Sequence, residues 1–351
     1  MKTVETVLVT AIGSFSSGAV IASCRREGYR VIGCDIYPAE WVASSLDVEV
    51  FAQAPYATDV EHYRTFLQAL CAREQVSLLI PSTDVEVDAL QRWGEEADLS
   101  EQLPGVTICM PGHDTVALCR NKEKTEHFLA ERGLCRTIPG RRLSEVAEQE
   151  TAKQSACPES ALSYPRVIKP IDGRSSQGLM IVENPEQFAS AVKRCRQDAA
   201  GLDRYLVQPK LEGMVVTVDV VRDPESGECV CLPRRELLRT LNGAGTSVHV
   251  FRDEVLEAQC RGIAGALDIR GCVNFEFIEA GPSEWYFLEC NPRFAGGVAF
   301  SCAAGYDMVK NHLNCFTGKG IEPRNEVQDQ YIARRYTEYR MKEGTTDENK
   351  A

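Results

Sequence analysis

The stretch Trp285-Tyr286-Phe287-Leu288-Glu289-Cys290-Asn291-Pro292-Arg293 decides the reading of this chain. Its first four residues are apolar and read as a strand. Side chains alternate along a strand, so Glu289 and Asn291 face the same way. Two oxygen donors on one face, with an arginine just beyond, suit a divalent cation holding a polyphosphate. A second strand, Val273-Asn274-Phe275-Glu276-Phe277-Ile278, comes before it, and Gly281-Pro282-Ser283 between them reads as a turn. Paired as a hairpin, the strands place Glu276 opposite Phe287 and diagonal to Glu289. Glu276, Glu289 and Asn291 then share a face that also carries Phe287. Strand carboxylates commonly face water. Here the other face carries Phe275, Phe277, Tyr286 and Leu288, so neither side is simply wet, and a buried carboxylate needs a partner. A metal site is the preferred reading over a solvated face.

The chain has 351 residues, more than one core usually supports, so two or three subdomains are expected. A net charge of −12 argues against a nucleic-acid partner, which needs a basic patch. The 15 cysteines are scattered without a CxxC pair, and the histidines miss zinc-finger spacings, so they read as reduced, mostly buried thiols. Ile21-Ala22-Ser23-Cys24 looks superficially like a lipoprotein cleavage box, but the residues before it lack an unbroken apolar core. No apolar run reaches membrane-span length, so the expectation is a cytoplasmic protein without a membrane partner.

The N-terminal third reads as alternating strands and helices. Val7–Thr10 is a strand running into the small-residue loop 11–18, followed by a helix to Glu27 and a strand Arg30–Cys34 ending at Asp35. Gly13 and Gly18 do not make G-x-G-x-x-G, so a Rossmann-like unit without a dinucleotide is expected. A helix over 59–74 and a strand over 76–80 follow. Asp84 and Glu86 lie just past that strand, where ligands bind in parallel sheets, but a helix cap by Ser82, Thr83 or Asp84 is the preferred reading. A last strand falls at Val106–Met110, one or two helices span Thr115–Gly133, and 141–163 reads as a surface helix and connector. A strand then presents Lys169, the loop Ile171–Gly178 holds two glycines around two serines, and Leu179–Val182 returns. Such a loop can fold over phosphate oxygens, although it lacks the Gly-Lys-Ser/Thr of a Walker loop. Strands at Arg204–Gln208 and Val215–Val221, Arg234-Arg235-Glu236, a flexible loop at 242–247 and a helix over 253–267 lead to the hairpin.

In order, a lysine strand, a Gly/Ser flap, a glutamine-containing hinge and two carboxylate strands ending Glu-x-Asn-Pro-Arg resemble the ATP-grasp superfamily. The pattern is most similar to its carbamoyl-phosphate-synthase-like and biotin-carboxylase-like members, over roughly residues 5–318. The resemblance implies an α/β ATP-grasp fold with an N-terminal Rossmann-like (pre-ATP-grasp) parallel-sheet subdomain. It divides the chain into residues 1–112, an ATP-grasp domain over 113–320 with its lid at about 164–208, and a peripheral segment over 321–351 whose last residues, 343–351, read as disordered. It implies ATP as cosubstrate and Mg²⁺, or Mn²⁺, held by Glu276, Glu289 and Asn291. Nucleotide contacts carried over are Lys122, Lys169, Ser175, Ser176, Gly178, the hinge residues Gln208, Lys210 and Leu211, and Phe287. Arg293 resembles the arginine that steadies the transferred group, and Arg235, with Arg234 second, a basic contact to phosphate or substrate carboxylate. The chain departs from the pattern at Pro209 and at Met214-Val215-Val216, where a ribose-binding glutamate is common. Asp219 or Glu212 are candidate substitutes.

The implied reaction is ATP-dependent ligation of a small carboxylic acid or amino acid to an amine through an acyl phosphate. A flap excludes water from that intermediate, and no covalent enzyme nucleophile is needed. Alternatives are a bicarbonate- or carbamate-phosphorylating step, an ATP-binding regulatory subunit without turnover, and, on the N-terminal loop alone, a nicotinamide oxidoreductase. A homodimer is compatible with the chain, but no interface is legible.

Overall fold

Val7, Leu8 and Val9 are fully buried, as a short apolar run at the centre of a parallel sheet must be. The computed structural model describes residues 4–152, 162–174, 177–241, 243–324 and 327–341. Five strands open the chain: β1 (Thr6–Val9), β2 (Arg30–Asp35), β3 (Val50–Gln53), β4 (Leu78–Ile80) and β5 (Thr107–Ile108). They form one parallel sheet in the order β3-β2-β1-β4-β5. The polarity of local caps sets where its helices begin. Asp59 accepts from the His62 amide at the start of Val60–Glu74, and Thr83 and Glu86 close a capping box on Asp84–Glu96. At the C-terminal end of β2, Asp35 accepts from the backbone N–H groups of Gly13 (2.8 Å) and Tyr37 (3.1 Å), so its carboxylate braces the β1 loop.

The rest of the chain builds two further sheets from β6 (Arg136–Thr137), β7 (Arg141–Arg142), β8 (Arg166–Pro170), β9 (Met180–Val182), β10 (Tyr205–Pro209), β11 (Met214–Arg222), β12 (Cys229–Arg239), β13 (Gly245–Val250), β14 (Gly271–Gly281), β15 (Glu284–Asn291) and β16 (Gln330–Ala333). A four-stranded sheet runs β7-β10-β8-β9, and a seven-stranded sheet runs β16-β13-β12-β11-β14-β15-β6. One face of the large sheet carries Val218, Phe275, Phe277 and Trp285 against the helix Glu254–Ala266. The other face meets the helices Val298–Ala303 and Met308–Thr317, which also pack on the N-terminal sheet. The small sheet, with the helices Leu143–Ala152 and Pro185–Cys195, has its own core. The open part of the large sheet lies between these bodies, and the cleft forms there.

The short strands β6, β7 and β16 carry no sequence signal of their own. β16 adds to the large sheet by pairing with β13, where Tyr331 stacks on His249 at 4.4 Å. The expected disorder at 343–351 concerns residues outside those described.

His312 ties the sheets together. Its Nδ1 accepts from the Cys272 amide (2.8 Å) and its Nε2–H donates to the Cys109 carbonyl (3.2 Å), so the ring is neutral and fully satisfied. Burial pushes its pKa down to about 3. The unfolded chain takes up a proton below its ordinary value of about 6.5, which the folded chain refuses until about 3. Stability from this group is therefore complete above pH ~6.5 and falls by about 1.4 kcal/mol per pH unit below it. Urea midpoints from pH 7.5 to 5 should drop less steeply for His312→Gln than for the parent chain; parallel curves would refute the assignment.

Candidate active site

A single row of side chains crosses four strands of the large sheet on its open face. Arg234 of β12 pairs with Thr217 of β11, Thr217 with Glu276 of β14, and Glu276 with Glu289 of β15. Glu276 thus stands directly opposite Glu289, and the expected pairing with Phe287 is corrected. The cause is an irregularity in the hairpin: Glu276 pairs with Glu289 and Phe277 with Phe287, leaving Leu288 as an extra residue. The extra residue changes the alternation. Phe287 turns into the core, edge-on to Phe275 (6.0 Å) and Phe277 (5.5 Å), while Leu288 lines the cleft. Phe287 is therefore corrected from a nucleotide contact to a core residue.

The two glutamates face each other in unequal fields. Lys122 Nζ lies 3.2 Å from Glu289, and Asn291 Nδ2 donates to Glu289 (3.2 Å) and to Asn274 Oδ1 (3.2 Å). Burial alone would raise the Glu289 carboxyl, but Lys122 and Lys169 outweigh it and hold it below the usual range. Among the described residues Glu276 hydrogen-bonds only with Arg239, at 3.4 Å; burial and then the Glu289 charge raise it to about 7. Burial likewise lowers Lys169 to about 8. Among the described residues no cluster of three or more His, Cys, Asp or Glu is set to hold a metal. Two carboxylates and the Asn291 amide instead make a partial shell of hard oxygens with a like-charge repulsion that a divalent cation would relieve. The donor set fits Mg²⁺ with its other positions filled by phosphate oxygens and water.

On one side of this row lies a cavity of about 220 Å³ under the small sheet. Lys122, Lys169, Gln208, Lys210 and Leu211 line it, with Val215, Ile278 and Leu288 as an apolar floor. Gln208 does not offer its side chain: the amide donates to the Ile138 carbonyl and to Glu126 (3.2 Å). That leaves the backbone of residues 209–211 facing the cavity. Lys210 pairs with Glu212, and Lys122 Nζ also donates to the Gly173 carbonyl. Gly178 has φ +75°, and a Cβ there would come 2.9 Å from Pro170, so the turn requires glycine. Ser175 and Ser176 lie outside the described residues. Asp219 is corrected as a ribose contact: it is fully buried and accepts from Arg234 Nη1 (2.6 Å) and Ser301 Oγ (2.6 Å).

On the other side lies a cavity of about 300 Å³ between the large sheet and the C-terminal ends of β1 and β4. Arg293 spans this boundary. Its Nη2 donates to Asp84 Oδ2 (2.7 Å) and its Nη1 to the Phe294 carbonyl (2.9 Å). Burial would raise the Asp84 carboxyl, but Arg293 outweighs it and holds it low. The expected helix cap is made by Thr83 and Glu86, so the Asp84 carboxylate holds Arg293 rather than capping the helix. Arg234 also lines this cavity, whereas Arg235 does not: it pairs with Glu279 (2.6 Å), lies over the Phe251 ring and points to the opposite face. The order of the two arginines is thus corrected, because adjacent strand residues face opposite ways.

A family model described as "ATP-grasp in the biosynthetic pathway with Ter operon" matches residues 202–339. The carbamoyl phosphate synthase large chain of Clostridium acetobutylicum is 25% identical over 233 residues, covering 62% of this chain and 20% of that one. A formate-dependent phosphoribosylglycinamide formyltransferase of Synechococcus sp. is 26% identical over 235 residues, covering 65% and 53%. This chain therefore spans about a fifth and about half of the length of these two relatives. The biotin carboxylase domain of Hydrogenobacter thermophilus 2-oxoglutarate carboxylase, solved as a dimer with MgADP, ADP and bicarbonate, superposes with a TM-score of 0.73 at 17% identity, covering 94% of this chain and 74% of that one. At that identity the likeness carries the fold. Among the described residues no helix is long and apolar enough to cross a membrane.

Proposed function

We propose, from the premise that this chain belongs to the ATP-grasp superfamily, that it is a ligase joining a small carboxylic acid or amino acid to an amine. The observation that carries this reading is the shared wall: Glu276 and Glu289 line both cavities, one suited to a nucleotide and one walled by the N-terminal sheet. A phosphoryl group at that wall is within reach of a second substrate without leaving the cleft.

In this reading the apolar floor of Val215, Ile278 and Leu288 and the 209–211 backbone take the base. Lys122 and Lys169 meet phosphate oxygens, and the low pKa of Lys169 is raised again when an anion arrives. Glu276, Glu289 and Asn291 would hold Mg²⁺, which when bound neutralises the phosphate charge. A carboxylate oxygen attacks the γ-phosphorus, and ADP leaves. The amine nitrogen then attacks the acyl carbon, the carbon–oxygen bond to phosphate breaks, and the nitrogen releases a proton. Arg293, fixed by Asp84, faces the charge that develops on the transferred group. Gly173, Arg174 and Gln177, which line the nucleotide cavity, keep water from the acyl phosphate in this reading.

ADP release with Mg·ATP and mixed pools of acids and amines tests this. The expected result is ADP that depends on both pools, with equimolar phosphate and a product whose mass equals acid plus amine minus water. ADP release driven by bicarbonate alone would replace ligation with the bicarbonate-phosphorylating alternative. No ADP from any mixture would end both.

A further inference from the structure

We propose that Arg234 is the receptor for a carboxylate that takes no part in the reaction, and that the amine joined by this chain is an amino acid bound through that group. This rests on the ligase reading above. Arg234 is 1% exposed, yet it lines the larger cavity. Three contacts fix it: Nη1 donates to Asp219 (2.6 Å) and Ser301 Oγ (3.4 Å), and Nε to Glu236 (3.1 Å). Its Nη2 donates to nothing among the described residues. That edge meets the cavity instead, where a carboxylate oxygen is an acceptor suited to its N–H groups.

The Gly297 backbone packs directly against this guanidinium: a Cβ there would lie 2.9 Å from Nη2, 3.1 Å from the Phe300 ring and 3.2 Å from Nε. Gly297 has φ −98°, which every residue can adopt, so close packing on the arginine, not conformation, explains the glycine. That packing fixes the guanidinium edge where it meets the cavity.

Position in the row says which substrate carries the carboxylate. Thr217 separates Arg234 from Glu276, so two strand spacings, about 10 Å of backbone, lie between them. The carboxylate that accepts the phosphoryl group must sit at the Glu276–Glu289 end, beside Arg293. Arg234 therefore holds a second carboxylate, one the product keeps. The amine must approach the acyl carbon from the side away from the nucleotide, and Arg234 lines the cavity on that side. An amino acid anchored there presents its nitrogen toward the shared wall. Because Asp219, Glu236 and Ser301 hold the guanidinium beforehand, binding does not have to order it.

The test pairs common amino acids with one another under Mg·ATP and reads ADP release and product mass. For a productive pair, replacing the amine partner by its carboxamide should lower kcat/KM about a hundredfold. Arg234→Gln should raise KM for the amine partner at least tenfold, with KM for ATP and for the activated acid within about twofold. The carboxamide comparison uses the parent chain, so it decides the matter even where Arg234→Gln fails to fold. The proposal is overturned if the carboxamide serves equally well, or if the activated acid's KM moves instead, which would make the ligand a dicarboxylate. If other acid–amine pairs release ADP but no amino-acid acceptor does, the proposal fails and the ligase reading stands. If no acid–amine pair releases ADP, the ligase reading itself has failed.

Discussion

The Glu289→Gln variant is expected to lose ADP formation by about a thousandfold or more, while its fold survives. The substitution keeps the shape and one oxygen but removes the charge that faces Lys122 at 3.2 Å. In the proposed role Glu289 sits at the phosphates with Asn291 beside it and Glu276 opposite, so its loss removes a charged metal ligand at the reacting group. Folding should change little, for a specific reason. The repulsion between the paired glutamates, which helps to hold Glu276 up at about 7, disappears with the charge. That relief offsets the lost contact to Lys122, whose side chain keeps its bond to the Gly173 carbonyl. Steady-state ADP release and a thermal midpoint within a few degrees of the parent chain check both halves. A variant that retained a tenth of the parent turnover would remove Glu289 from the phosphate site.

Arg293→Met should fail in two separable ways. It leaves Asp84, whose side chain is 5% exposed, without its 2.7 Å partner. Arg120 Nη1 stands at 3.8 Å, too far to donate, and Asp84 Oδ1 already lacks a donor among the described residues. Removing one member of such a pair costs about 3 kcal/mol. In the proposed reaction it also removes a cation from the wall where the acyl phosphate forms, for a further loss of about a hundredfold or more in turnover. The double variant Asp84→Asn/Arg293→Met separates the two effects. Stability should return to near the parent value, because no unpaired charge remains, whereas turnover should stay low. Recovery of both would show that Arg293 acts only by securing the N-terminal sheet. Denaturant melts and ADP assays on the three variants decide it.

Much of this architecture was legible because its signals are local. The run Val7–Val9, the caps at Asp59 and Thr83 and the Gly-Pro-Ser turn each follow from a few neighbouring residues. Lys169, the 208–211 segment and the hairpin carboxylates, picked out by their order, do line one cavity. What escaped depends on register or on distant partners. Nothing in Tyr286-Phe287-Leu288-Glu289 announces an extra residue, so strict alternation put Phe287 in the cleft and Leu288 in the core. The same parity decides between Arg234 and Arg235, and it is set by pairing with β11, some twenty residues upstream. Asp219 looked available for a ribose because its acceptance of Arg234 and Ser301 joins residues far apart in sequence. A cap by Ser82, Thr83 or Asp84 was legible and Thr83 makes it, but the pairing of Asp84 with Arg293, 209 positions away, was not. The strand β16 is only four residues long, and the β13 edge it pairs with lies about eighty positions away in sequence.

Arg239, Glu276 and Glu289 belong to both cavities at once. The two chambers therefore share a party wall rather than a passage. Charge that enters one side is felt by the same three groups on the other, through a few ångströms of partly buried protein. In the proposed reading, occupancy of the two sides is then linked by thermodynamic reciprocity: whatever factor the nucleotide imposes on the affinity of the second substrate, the second substrate imposes on the nucleotide. No moving relay is required, because the wall itself is the coupling element.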